Sequence, residues 1–155
     1  MAYKYKKVVF VCNDNTCRGP MAEVIFKRFS AEMGIEAVSR GMVVLFPEPS
    51  NPMAEMVLRN HELLLENHTS KRIAKEDIAD HTLILTMTEK EKKSVLEEFE
   101  KVPVLFAVFT IKEFTDEEGD VIDPYGGDLM DYENCYIDLA RLIKKTVVKL
   151  NETAL

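Results

Sequence analysis

Val8-Val9-Phe10-Val11-Cys12-Asn13-Asp14-Asn15-Thr16-Cys17-Arg18-Gly19-Pro20-Met21-Ala22 is the stretch on which the fold turns. Its first five residues form a continuous apolar, largely β-branched run, the pattern of a strand buried on both faces and so central in a parallel sheet. A polar segment follows. Pro20 then suits the first position of a helix, with Met21, Ala22, Ile25, Phe26 and Phe29 recurring at helical spacing. Strand, polar loop and helix in that order make the first unit of an alternating α/β chain.

The rest of the chain repeats the alternation. Gly34 is read as the end of the first helix, Ile35 to Arg40 as a second strand, and Gly41 to Asn51 as a loop. Asn51-Pro52 reads as N-cap and first residue of a helix running to Leu63 or Leu65. Thr82 to Met87 is a further buried strand. Thr88 and Glu91 form a capping-box signature for a helix to Phe99, and Val102 to Phe109 is a fourth strand. After a polar turn and the loop Asp123-Pro124-Tyr125-Gly126-Gly127, Tyr132, Tyr136, Leu139, Ile143, Val147 and Leu150 mark one apolar stripe of a closing helix. These elements predict an α/β fold, a three-layer α/β/α sandwich with a parallel sheet, whose ligand site lies at the carboxyl ends of the strands.

Composition narrows the function. The chain has 155 residues, 46% hydrophobic and 30% charged, which predicts a single domain, residues 1–155, burying about 68–70% of the unfolded surface. Lys and Arg total 20 against 27 Asp and Glu, a net charge of -7. That field repels a nucleic-acid backbone or an anionic membrane, so neither is expected as a partner. The three cysteines are an odd number and too few for a disulfide scaffold, and the apolar run before Asn13 is too short for a membrane span. A reducing, cytoplasmic location is the expectation. His61, His68 and His81 share no metal-ligand spacing and are read as structural or solvated, with no metal or cofactor expected. The charged run Glu89 to Lys93 is read as a solvated helix face.

The chemistry concentrates after the first strand. Cys12 and Arg18 stand five residues apart between a buried strand and a helix start. Such a loop can curl into a cradle of inward-pointing N–H groups, to which the helix N-terminus adds partial positive charge. Arg18 supplies a planar fork suited to two phosphoryl oxygens. Surroundings of this kind lower a cysteine pKa from about 8.5 to roughly 3.5–7.5, so a thiolate is expected on Cys12. The loop is read as a site for a tetrahedral anion, with a nucleophile aimed at its centre. Asn15 is either a generic turn residue or one that hydrogen-bonds backbone groups and holds the cradle open.

The pattern Val11-Cys12-x-x-Asn15-x-Cys17-Arg18-x-Pro20-Met21-Ala22-Glu23, with Asp123-Pro124-Tyr125 near the C-terminus, resembles the low-molecular-weight protein-tyrosine-phosphatase family over nearly the whole chain. The resemblance implies a four-stranded parallel sheet, a phosphocysteine intermediate on Cys12 and Asp123 as general acid. It also implies phosphate or sulfate binding by Arg18 and the loop residues Asn13, Asp14, Asn15, Thr16 and Cys17. Thr16 and the run Gly119-Asp120-Val121-Ile122-Asp123-Pro124-Tyr125-Gly126-Gly127 look most like the bacterial protein-arginine phosphatases. Three positions depart from the usual family pattern: Asp14 stands where glycine is usual, Gly19 where serine is usual, and Ser39-Arg40-Gly41 where Ser-Ala-Gly is usual.

Asp-Pro by itself is a common turn opener, but a phosphoryl group moving to sulfur leaves a group that must be protonated, and Asp123 is read as that acid. Tyr125 either stacks on a planar substrate group or packs at the rim. Cys17 is either a packed thiol beneath the loop or, under oxidation, a disulfide partner for Cys12. Cys135 is expected to be buried on the last helix. The resulting reading is a metal-independent cysteine phosphatase acting on phosphorylated protein side chains. Two alternatives are a phosphate- or phosphoprotein-binding module with weak or lost turnover, and an arsenate reductase.

Overall fold

The structure, a computed structural model, describes residues 2–154. Four parallel strands, β1 (Lys7–Cys12), β2 (Glu36–Gly41), β3 (Thr82–Thr86) and β4 (Phe106–Thr110), form one sheet in the order β2-β1-β3-β4. Burial follows that order. β1 and β3 lie inside and every residue from Val8 to Cys12 and from Thr82 to Thr86 is buried, whereas the edge strand β2 alternates. Continuous apolar runs suit central parallel strands because both faces are covered.

The pleat sends alternate side chains of β1 to opposite layers. Val8, Phe10 and Cys12 join Leu83 and Leu85 under helices α1 (Arg18–Phe29), α2 (Pro52–Asn60) and α5 (Leu129–Glu152). Val9, Val11 and Ile84 pack instead against Val95 and Phe99 of α3 (Glu89–Phe99). Phe10 meets Phe26 of α1 edge-on at 5.6 Å. A side chain of this size, buried at 0% exposure, stabilises the fold by about 1.5–3 kcal/mol through transfer from water. A four-residue helix, α4 (Ile111–Phe114), directly continues β4.

Some boundaries differ from the sequence expectation, each for a local reason. α1 starts at Arg18, so Pro20 is its third residue, a position whose N–H has no intrahelical partner. Phe29 ends that helix, and Gly34, at φ +70°, lies in the turn beyond it. α2 stops at Asn60 because Glu62 takes a left-handed conformation at φ +62° while the Leu63 amide reaches back to the Leu58 carbonyl. That is a Schellman closure built on a residue that does not advertise it. β4 begins at Phe106, since the Val102 amide turns back to Phe99 and only from Phe106 does the chain pair with β3.

Strand order reverses direction about β1, since the chain passes first to β2 and then crosses back to β3. The crevice at such a switch point, at the carboxyl ends of β1 and β3, is where α/β sheets place ligands.

Candidate active site

Residues 13–17 curl between the end of β1 and the start of α1, and neighbouring segments hold the curl. The carbonyls of Cys12, Asn13 and Thr16 accept the amides of Met42, Val43 and Asn51 at 3.1, 2.8 and 2.8 Å. Asn15 adopts φ +62°, a left-handed conformation that asparagine tolerates better than most residues. Its buried Oδ1 accepts the Lys71 amide at 2.9 Å, and His68 Nε2 donates to its carbonyl at 2.6 Å. The Asn15 amide is thereby turned inward and lies 3.2 Å from Cys12 Sγ. The Gly19 amide donates to the same sulfur. No side chain caps the start of α1 and its first turn carries no acidic residue, so its leading N–H groups are available to an anion.

Arg18 closes the loop. Its buried guanidinium donates to the Val121 carbonyl at 3.0 Å and lies 3.5 Å from Asp123 Oδ2 and 3.8 Å from Glu91 Oε2. Glu91 occupies this place because of the α3 cap: its Oε1 accepts the amides of Met87 and Thr88, both at 3.1 Å, leaving Oε2 toward Arg18. The segment carrying Asp123 is moored to the same helix start. The Val121 amide donates to the Met87 carbonyl at 2.9 Å, and Asp120 Oδ1 accepts the Glu89 amide at 2.9 Å. Asp123 Oδ1 accepts the Tyr125 amide at 3.0 Å, and its carboxylate remains solvent-accessible. Beyond it, Asp128 caps α5 with Asp131 returning to the Asp128 amide. Gly127 has no side chain because that Asp131 carboxylate fills the space a Cβ would need.

The electrostatics correct one expectation. Burial pushes the Cys12 thiol up to about 12, against Arg18 and the Gly19 amide, which pull it down, and with Asp14 and Glu91 adding to the rise. The cradle is positive at its centre, yet it is dry and flanked by carboxylates, so desolvation exceeds the attraction. Cys17 is also raised, chiefly by burial, and Cys135 is raised to about 12 for the same reason. All three are free thiols. Burial likewise raises Glu91 above the ordinary carboxylate range, opposed by Arg18.

The structure brings Cys12, Arg18 and Asp123 together. Cys17 lies beneath the loop as a packed thiol, its Sγ 3.8 Å from Met21 Sδ. Thr16 is half-buried and Asn13 exposed on the loop. Asp14 turns back on the loop, its Oδ1 accepting the Thr16 amide at 3.2 Å. Arg40 points away, its Nε on the buried Asp77 at 3.0 Å. Tyr125 is 76% exposed, a ring at the mouth rather than a packed one. A cavity of about 660 Å³ lies between the Asp123 loop and α5; its lining includes Asp123, Tyr125 and Cys135 but none of residues 12–18. One residue was misjudged from sequence: Glu91 belongs to no solvated face, although its capping-box spacing was the signal. His68, read as structural or solvated, is structural and buttresses the cradle. His61 instead pairs with Glu133 and stacks on Tyr136 at 3.9 Å.

Against known families, residues 7–154 match the model of the low molecular weight phosphotyrosine protein phosphatases. The chain belongs to that family. Among its phosphatase relatives, the protein-arginine-phosphatase of Bacillus subtilis (strain 168) is 33% identical over 94% of this chain and 97% of its own. The low molecular weight protein-tyrosine-phosphatase PtpB of Staphylococcus aureus is 36% identical over 90% and 95%. Among solved structures, an arginine phosphatase mutant in which serine replaces cysteine, with a phosphorylated active-site serine, superposes with a TM-score of 0.85. It is 30% identical and the match covers 94% of this chain and 96% of that one. No helix among the described residues is long and apolar enough to cross a membrane.

Proposed function

We propose that the chain is a cytoplasmic protein phosphatase, one domain over residues 1–155, that hydrolyses phosphorylated side chains, with phosphoarginine as its preferred substrate. The convergence of Cys12 Sγ, the Arg18 guanidinium and the Asp123 carboxylate on one loop end carries the reading. The incoming phosphoryl dianion takes the Arg18 fork and the inward amides of residues 13–18, displacing the Asp123 carboxylate from its 3.5 Å contact. As the Asp123 carboxylate is displaced it takes the proton of the Cys12 thiol, and the thiolate so formed attacks phosphorus. The S–P bond forms as the P–N or P–O bond breaks, and Asp123 in its acid form gives its proton to the departing nitrogen or oxygen. The carboxylate so formed takes a proton from water. The resulting hydroxide attacks phosphorus, the S–P bond breaks, and inorganic phosphate leaves with the thiolate restored. The phosphorylated serine of the structural relative supports placing the acceptor at position 12.

For the leaving group, Thr16 is the residue of interest. Its hydroxyl, on a half-buried loop position, can accept from guanidinium N–H groups that a phenyl ring lacks, and the Asp123 carboxylate meets a cationic group favourably. The relatives carry both names, so the test is direct: phosphoarginine and phosphotyrosine peptides are offered to one preparation. Higher kcat/KM on phosphoarginine is expected. The opposite order overturns the substrate preference, and failure to hydrolyse either overturns the enzyme reading in favour of a phosphate-binding module.

A further inference from the structure

The cavity of about 660 Å³ between the Asp123 loop and α5 takes no part in the chemistry described so far, yet Asp123 belongs to both. Its carboxylate stands 3.5 Å from Arg18 and the same residue lines the cavity, so cavity and cradle adjoin across one side chain. Asp131, Asn134, Cys135 and Asp138, at helical spacing on α5, form one wall, and Tyr125 lines the loop side. Polar capacity in this lining remains open. Asp131 Oδ2 accepts the Asp128 amide and Asp138 Oδ1 pairs with Arg141, but Asp131 Oδ1, Asp138 Oδ2 and the Asn134 side chain make no hydrogen bond among the described residues. Lys112 is the one cation in the lining, against three aspartates. The charge is regional, since from Glu113 to Asp138 the chain carries ten acidic residues and no lysine or arginine. The volume falls within the range of about 300–1,000 Å³ common to ligand sites.

We propose that this cavity is a subsite for a positively charged side chain, arginine or lysine, carried by the protein substrate close to its phosphorylated residue. The proposal rests on the phosphatase reading, since the phosphorylated side chain must occupy the cradle. In an extended peptide, side chains two residues apart lie about 7 Å from one another, so a residue near the phosphorylated one reaches across Asp123. Its charged head meets the open oxygens of Asp131 and Asp138 and the Asn134 carbonyl, and its stem lies along the Tyr125 ring. The carboxylates of α5 stand along two turns instead of converging, and no group of three acidic, histidine or cysteine side chains among the described residues could hold a metal ion. That spread suits an organic cation on a flexible stem. Asp131, Asn134 and Asp138 are thereby specificity-determining residues remote from the bond being broken. Such contacts are the same before and during reaction, so they act on KM and leave kcat unchanged.

The test offers peptides with one phosphorylated residue, flanked on both sides by arginine, alanine or glutamate, to wild type, Asp138→Asn, Asn134→Lys and, as a control, Glu97→Gln. Each variant makes the chain one charge less negative, but Glu97 lies exposed on α3, outside the cavity lining, so only a local effect separates it from the other two. Wild type and Glu97→Gln should show kcat/KM about tenfold higher for the arginine peptide than for the alanine one, the size of one charge-assisted hydrogen bond in a partly open site. The difference should be carried by KM and weakened by added salt. Asp138→Asn should cut that preference severalfold and Asn134→Lys should abolish it, while hydrolysis of p-nitrophenyl phosphate, too short to reach the cavity, stays at the wild-type rate. Anisotropy of the same peptides, fluorescently labelled, on Cys12→Ser with and without Asn134→Lys gives the order of affinities without turnover. Equal affinities for the arginine and alanine peptides, a preference for glutamate, or a preference that Asn134→Lys and Glu97→Gln reduce alike overturns the proposal. Arginine-first affinities without hydrolysis of any peptide support the subsite and count against the phosphatase reading alone.

Discussion

Replacing Asn15 tests whether the cradle is held by the bonds described above. Asn15→Ala removes the acceptor of the Lys71 amide and places at φ +62° a residue that tolerates the left-handed region less well than asparagine. Orphaning a buried donor costs about 1–3 kcal/mol. Lys71 is an exposed residue whose amide is only partly buried, so water can compensate and the lower part, about 1–2 kcal/mol, applies here. The left-handed backbone adds about 1 kcal/mol for alanine relative to residues that tolerate it. The sum is about 2–3 kcal/mol, or a fall of roughly 4–12 °C in melting temperature for a chain of this size. Asn15→Gly keeps the conformation and loses only the bond, so it should cost about 1–2 kcal/mol. Urea unfolding of both variants beside wild type measures the two contributions. Alanine and glycine variants of equal stability would refute the strain argument, and a loss below about 0.5 kcal/mol in both would refute the claim that Asn15 clamps the loop.

Other perturbations address the chemistry. Cys12→Ser should abolish turnover, and Asn15, Arg18 and the loop amides should still retain oxyanions, measured by phosphate titration; near-wild-type turnover would sink the covalent route. Asp123→Asn should slow substrates with poor leaving groups by about 10²–10⁴-fold and activated aryl phosphates less; equal losses on both would make Asp123 structural. Thr16→Val should lower phosphoarginine turnover while sparing phosphotyrosine turnover, and parallel losses would return Thr16 to a loop-supporting role. Glu91 has a folded pKa raised above 4.5 by burial, so folding favours its protonated form. Its contribution to stability is therefore present below pH 4.5 and lost as pH rises through the folded value. Glu91→Gln should gain stability relative to wild type between pH 4 and 8 in urea midpoints, and a pH-independent difference would contradict that sign.

Much of this molecule was legible before any coordinates. Periodicity located β1 and β3 because their burial on both faces leaves an unbroken apolar run, and it located α5 because one stripe faces the core. The Cys12 to Arg18 spacing announced the cradle, and the Asp-Pro pair marked the loop that brings Asp123 beside Arg18. What escaped notice is tertiary. The Glu62 turn that stops α2 uses a left-handed glutamate, which carries no local signature. Glu91 was visible as a cap, but its second oxygen meets Arg18 only once α3 stands beside the loop. The expected low pKa of Cys12 failed because sequence spacing reports the charges near a thiol and says nothing of how completely water is excluded from it.

The mooring of the Asp123 loop at both ends has a consequence for how such an enzyme changes over generations. Val121 and Asp120 tie one end to the start of α3, and the Asp128 cap ties the other to α5. Between these anchors Ile122 and Tyr125 stand 83% and 76% exposed. Substitutions at these two positions alter what a substrate meets at the mouth while leaving the Arg18 contacts and the core untouched. Drift there is nearly free in folding terms. Selection can therefore explore new target proteins at the rim while the phosphoryl-handling centre stays fixed.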